Sequence, residues 1–153
     1  MIKNGLFILV LATALISCKP NTDESLQNLQ KLKGTWVSAD NTIIYHKWLA
    51  NQDQLSGYSF SLRNSDTLFF NCYQFTKQND SLLLIVTNCN NKEDAKHYHQ
   101  TGGRFKKYVF EASHDVYPYR ISFELINDTL WQYRQENIRG NKVITFQMKK
   151  TKP

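Results

Sequence analysis

From Thr35 to Lys150 apolar and polar residues alternate at period two, in runs parted by short polar turns. This constrains the fold more than any other feature, because successive side chains of a strand point to opposite faces. Tyr108, Phe110 and Ala112 share one face. Ile121, Phe123 and Leu125 oppose Arg120, Ser122 and Glu124, and Ile144, Phe146 and Met148 oppose Val143, Thr145, Gln147 and Lys149. The pattern predicts about nine strands: 35–38, 42–50, 54–62, 67–76, 82–89, 104–112, 119–126, 129–137 and 142–150. Ser65-Asp66-Thr67-Leu68, Asn79-Asp80-Ser81-Leu82 and Asn127-Asp128-Thr129-Leu130 are versions of one turn, and Arg139-Gly140-Asn141 closes another hairpin. Asn and Asp accept left-handed backbone and bond their own turn. Short turns between consecutive strands make an antiparallel meander, and a meander with one apolar face must close on itself or leave adhesive edges. The expectation is an all-β protein, an antiparallel up-and-down barrel of about 8–10 strands. Before it, Leu26, Leu29 and Leu32 predict a short helix, with Asp23 or Ser25 as cap and Gly34 as stop. The polar stretch 90–103, ending in Gly102-Gly103, reads as a mobile loop over one barrel end.

The N-terminus reads as an address. Lys3 precedes the apolar run Gly5–Ile16, which is too short to span a bilayer comfortably. The run ends in Leu15-Ile16-Ser17-Cys18, which resembles a bacterial lipobox. The resemblance implies cleavage before Cys18, lipidation of its sulfur and acylation of the new N-terminus, and several acyl chains together anchor stably. An ordinary cleaved signal peptide is the alternative. Lys19 follows Cys18 where Asp would favour inner-membrane retention, so an outer-membrane lipoprotein is implied, with the leaflet open. The chain then divides into a signal peptide (1–17), a lipidated tether (18–25) and a barrel domain (26–153). Without Lys3 the formal net charge falls from +6 to +5. The basic residues are scattered, so nucleic acid is not the expected partner. A mildly basic surface near anionic headgroups, a monomer and no cofactor are expected. Cys72 and Cys89 fall on two strand-like runs joined by one turn, where they could form a disulfide or stay as two buried thiols.

Leu29-x-x-Leu32-x-Gly34-Thr35-Trp36 resembles the Gly-x-Trp opening of lipocalin-like barrels, in which a helical turn plugs the barrel and the Trp packs beneath it. More specifically, the chain resembles a group of bacterial lipocalin-like domains of unknown function, often lipoproteins. The matching residues are Gly34, Trp36, Trp48, Gly57, Phe110, His114, Asp115, Pro118, Ile121, Phe123, Phe146 and Met148, over most of residues 29–149. The resemblance implies a barrel. His46-Lys47-Trp48 stands where the family has Glu-x-Trp, Asn71 where it has a second acid, and the His-Asp corner is one residue longer. The family's two acids, and any chemistry or cation site they support, are thus missing here.

His46 and Trp48 lie two residues apart and so share a face. With Tyr58, Asn71 and Tyr73 they are the expected lining of a pocket of apolar walls and few polar groups. His46 could equally be a core histidine satisfied by a neighbour, and the aromatics plain barrel filling. His114-Asp115 is a turn brace, with Asp115 accepting backbone N–H bonds, or a rim contact for a ligand. As a catalytic pair it lacks a specified nucleophile, since Ser113 directly precedes the histidine. His97-Tyr98-His99 invites a metal only if Glu93, Asp94 or Cys89 supplies a third ligand, and solvated histidines are the simpler reading. No phosphate loop, Cys-x-x-Cys pair or nucleophile elbow occurs. The leading expectation is a lipid-anchored barrel binding a small, partly apolar ligand, with 90–103 as lid. A filled barrel that contacts a protein or glycan competes with it, and an enzyme using the His114-Asp115 rim comes third.

Overall fold

The computed structural model describes residues 21–151 apart from 41, 65 and 105. The targeting segment and Cys18 lie outside the described residues. Ten antiparallel strands close into one barrel: β1 (Gly34–Ser38), β2 (Tyr45–Ala50), β3 (Leu55–Arg63), β4 (Asp66–Gln78), β5 (Ser81–Asn88), β6 (Asn91–Arg104), β7 (Lys107–Ala112), β8 (Arg120–Asn127), β9 (Leu130–Glu136) and β10 (Val143–Lys150). Each strand pairs with its neighbours in sequence, and β1 closes the ring on β10 with Trp36 opposite Lys150. The turns work as their chemistry dictates. Asn64, Asn79 and Gly140 take positive φ. The Asn127 side chain accepts from the Thr129 N–H and hydroxyl.

One barrel end is plugged by α1 (Thr22–Leu29) and a 3-10 turn (Gln30–Leu32). The cap is Asn21, not Asp23 or Ser25: its side chain accepts from the N–H groups of Asp23 and Glu24 at 3.0 and 3.2 Å. Residues 22–25, expected to be tether, are therefore the first turn of the helix. Leu26, Leu29 and Leu32 are buried in the barrel, and the Trp36 indole donates to the Leu32 carbonyl at 2.6 Å. Gln30 reaches the Asn51 carbonyl, and Gln100 reaches the Ser25 hydroxyl. The helix end is thus tied to three different parts of the wall.

The expected loop at 90–103 is strand β6, and no lid exists there. The reason is chemical. Tyr98 is the one large apolar side chain that β6 sends into the barrel, with Asp94 and Lys96 facing a cavity beside it. A strand with a polar inner face loses the alternation by which strands are read.

Cys72 and Cys89 form a disulfide that joins β4 to the residue just after β5, with Cα atoms 5.1 Å apart. In the chain-entropy account, closing a loop of this length contributes about 3 kcal/mol.

Trp48 lies flat over Gly57, its partner on β3. A Cβ at Gly57 would sit 2.4 Å from the Trp48 ring and 2.8 Å from the Lys47 carbonyl oxygen. Gly57→Ala therefore has to displace a fully buried indole. The expected cost is about 1–3 kcal/mol, read as a lower urea midpoint; an unchanged midpoint would show that Trp48 is free to move.

Candidate functional site

The helix end of the barrel interior is solid. Trp36, Trp48, Phe75, Phe110, Phe123 and Trp131 are all buried; Phe123 stacks on Trp131 and the other ring pairs meet edge to face or tilted, with Trp48 5.7 Å from Phe75 and 5.9 Å from Phe123 between centroids. His46, Trp48 and Tyr73 do point inward, but into this packing. His46 stacks on Tyr73 at 5.6 Å and meets Trp131 and Tyr133 at 5.6 and 5.5 Å. They are core, and not the cavity walls expected of them. Tyr58 is on the outer wall. Because Gly57 is the inward residue beneath Trp48, the next residue must point out, where Tyr58 joins Phe60 and Phe69.

A neutral polar layer tops the core. Tyr73 and Tyr133 meet edge to face here, 6.3 Å apart between centroids, with Ser59 and Asn71 beside the Tyr73 hydroxyl. Gln135 Nε2 donates to the Tyr133 hydroxyl at 2.7 Å, and the Asn71 N–H donates to Ser59 Oγ at 3.1 Å. Burial raises the pKa of both Tyr73 and Tyr133, Tyr133 further, with the neighbouring Tyr73 adding to the shift. Burial lowers that of His46 to about 3. At neutral pH the layer is therefore uncharged. Gln135 spends one of its two N–H donors on Tyr133, which leaves the second N–H and the amide oxygen for the cup.

Above this layer a half-open cup of about 480 Å³ opens at the end opposite the helix. Asn71 and Gln135 belong both to the layer and to the cup, whose apolar wall is Val86, Val116 and Ile121. Lys96, Tyr98 and His114 stand at its side. Of the residues expected to bind a ligand, Asn71 and His114 are on the cup. Asp115 is exposed and outside its lining. The sequence reading missed Lys96, Val86, Val116, Ile121 and Gln135. Ile121 shares its strand face with Phe123 and Leu125, and Val86 and Gln135 each lie two residues from a buried neighbour, Leu84 and Tyr133, which is the signal the spacing offers.

Beside the cup the wall has a seam. β6 pairs with β7 from Arg104–Lys107 only as far as Tyr98–Ala112, so its last turn toward the open end runs on without a β7 partner. The corner 113–119 crosses the gap. Two side chains bridge it: Lys96 Nζ donates to the Tyr117 carbonyl at 2.9 Å, and the Tyr98 hydroxyl to the Pro118 carbonyl at 3.0 Å. Backbone bonds from Ala112 to the Tyr119 carbonyl and from Tyr119 to the Glu136 carbonyl hold the corner, rather than bonds to Asp115. Beneath it Arg120 spans Glu111 at 2.6 Å and Glu136 at 3.3 Å, and Glu111 chiefly raises the guanidinium pKa. The Tyr117–Pro118 bond is cis, and Lys142 sits 4.1 Å over the Tyr117 ring. Ser113 Oγ is 3.3 Å from His114 Nδ1, and both residues are exposed. His97 and His99 face outward from β6, and among the described residues no three metal-binding side chains converge.

No family model matches the chain, and no curated protein matches it.

His46 makes acid stability testable. Its folded pKa of about 3 lies below the unfolded value of 6.5. The neutral ring's contribution is complete above pH 6.5. As pH falls from there toward 3, the unfolded chain takes up a proton that the folded one does not, and stability drops by roughly 1.4 kcal/mol per pH unit. His46→Leu should flatten urea-unfolding stability between pH 6.5 and 5 relative to the parent. Equal slopes in the two proteins would show that His46 is solvated.

Proposed function

We propose that this protein is a lipid-anchored envelope protein whose barrel mouth binds a small, partly apolar molecule. The observation that carries the reading is the cup of about 480 Å³, with an aliphatic wall and polar groups already oriented by the buried tyrosines beneath. Small-molecule sites have this size, and the lining here is more polar than most. Of the residues first expected to bind, Asn71 and His114 line the cup, while His46, Trp48 and Tyr73 pack in the core beneath it. The anchor at Cys18 would lie three residues before the Asn21 cap, so it would hold the plugged end to the membrane and turn the cup away from it.

A second reading has its own support. Ile43, Leu62, Leu68, Phe69, Ile138 and Val143 are exposed, and all stand at the open end, on the arc from β9 through β1 to β4. An apolar arc of this kind suits an interaction module that contacts a protein or a glycan through its rim.

One experiment addresses both anchor and ligand. The full chain is recovered from the membrane fraction of its own cell and measured by native and denaturing mass spectrometry. The expected result is loss of residues 1–17, a covalent lipid mass on Cys18, and a further mass that denaturation releases. A mass with nothing to release would favour the interaction module, and an unmodified Cys18 in a soluble fraction would overturn the anchor.

A further inference from the structure

We infer that the seam between β6 and the 113–119 corner is the ligand's port, and that the ligand is a small monoanion with an apolar body, of the kind a medium-chain carboxylate provides. The inference rests on the proposed binding function and names its ligand class.

The charges around the cup are few and most are committed. Arg120 and Arg134 are spent on Glu111 and Glu136 on the outer wall. Lys96 is different. Among the described residues it makes no ion pair, and its ammonium donates one bond to the neutral Tyr117 carbonyl, leaving donors for a ligand. It stands on one lip of the seam, with His114 on the other. An oxyanion placed between the lips would receive charge-assisted hydrogen bonds from Lys96 and a further N–H from His114. Its apolar body would then lie inward against Val86, Val116 and Ile121.

The floor would be a poor seat for a charge. The tyrosines are held neutral, and the Gln135 amide, with one N–H already given to Tyr133, is uncharged and suits a bridging water. The anion is therefore read at the port and the apolar part in the cup. Asp94 is two residues before Lys96 on the same face and also lines the cavity. It partly offsets the cation, which limits the site to a single negative charge and gives the inference a second handle.

The port also explains why the wall is closed here by side chains and not by a ladder. Backbone pairing between β6 and β7 stops at Tyr98–Ala112, and beyond it only the Lys96 and Tyr98 contacts cross to the corner. Opening the seam takes the loss of two side-chain hydrogen bonds, those of Lys96 and Tyr98, whereas parting paired strands would break several backbone bonds at once.

The test uses the mature chain from residue 18, carrying Cys18→Ser, with sodium decanoate as probe and decanamide as its uncharged match. Affinity is read by calorimetry and position by methyl NMR. Decanoate should shift the Val86, Val116 and Ile121 methyls and bind on the order of tenfold tighter than decanamide. Lys96→Gln should remove that preference, and Asp94→Asn should tighten decanoate severalfold while leaving decanamide unchanged. If both probes shift the cup methyls with equal affinity, or if Lys96→Gln leaves the preference intact, the ligand class is wrong and the binding function stands. If neither probe shifts those methyls, the inference fails outright, and the releasable mass in the envelope preparation decides the binding function separately.

Discussion

The packing of Trp48 over Gly57 is the contact on which the rest of this barrel depends. A ring of ten strands encloses more space than eight, and eight already leave an interior that side chains can just fill. Here the width is taken up by large rings. Trp48 has room to lie against the wall because its partner on β3 has no side chain, and Tyr73, Phe75, Phe123 and Trp131 then pack around it. The helix adds Leu26, Leu29 and Leu32 beneath, locked by the bond from Trp36 to Leu32. Dense packing at one end is what leaves the cup at the other. The aromatic supply runs out at Tyr73 and Tyr133, and nothing of similar size stands above them on β5, β6 and β8.

The boundary between the two halves is chemical as well as steric. Gln135 donates to Tyr133, and Ser59 accepts from the Asn71 N–H, around the buried Tyr73. Buried polar groups need partners, and such a network holds its members in fixed orientations. It holds the Gln135 amide at the floor of the cup while keeping charge out. The Nδ1 of His46 and the indole nitrogens of Trp48 and Trp131 lie just below it without partners. Unpaired buried groups cost roughly 1–3 kcal/mol each, so this stretch of core is packed at some expense of polar satisfaction.

Much of the architecture was legible because the strands that matter most to the core alternate cleanly. Tyr108, Phe110 and Ala112 on β7 and Ile121, Phe123 and Leu125 on β8 all face inward as their spacing implies. The failures have physical causes. β6 was hidden because its inner face is polar where it lines the cup, so a functional feature erased the strand's signature. Tyr58 was placed on the wrong face because the residue that faces Trp48 is a glycine, and a glycine contributes nothing to an apolar pattern. His46 and Trp48 were read on the right face, but depth is not written in alternation. Whether an inward residue meets a cavity or a neighbour depends on which rings arrive from β4, β8 and β9, and that is fixed by register. His114 and Asp115 illustrate the same limit: the corner was visible, yet only the end of the β6–β7 ladder shows that His114 stands at an opening and Asp115 does not.

The central claim is that the interior is divided, packed at the helix end and open to solvent at the other. Methyl relaxation in the presence of a neutral, water-soluble paramagnetic agent measures this directly. The account expects strong relaxation of the Val86 and Val116 methyls in the cup and almost none for Leu55, Leu82 and Leu84 in the packed half. Comparable relaxation along the whole interior would mean a hollow barrel. Protection of Val86 and Val116 to the level of Leu84 would mean one filled to its rim, and either result would contradict the divided interior.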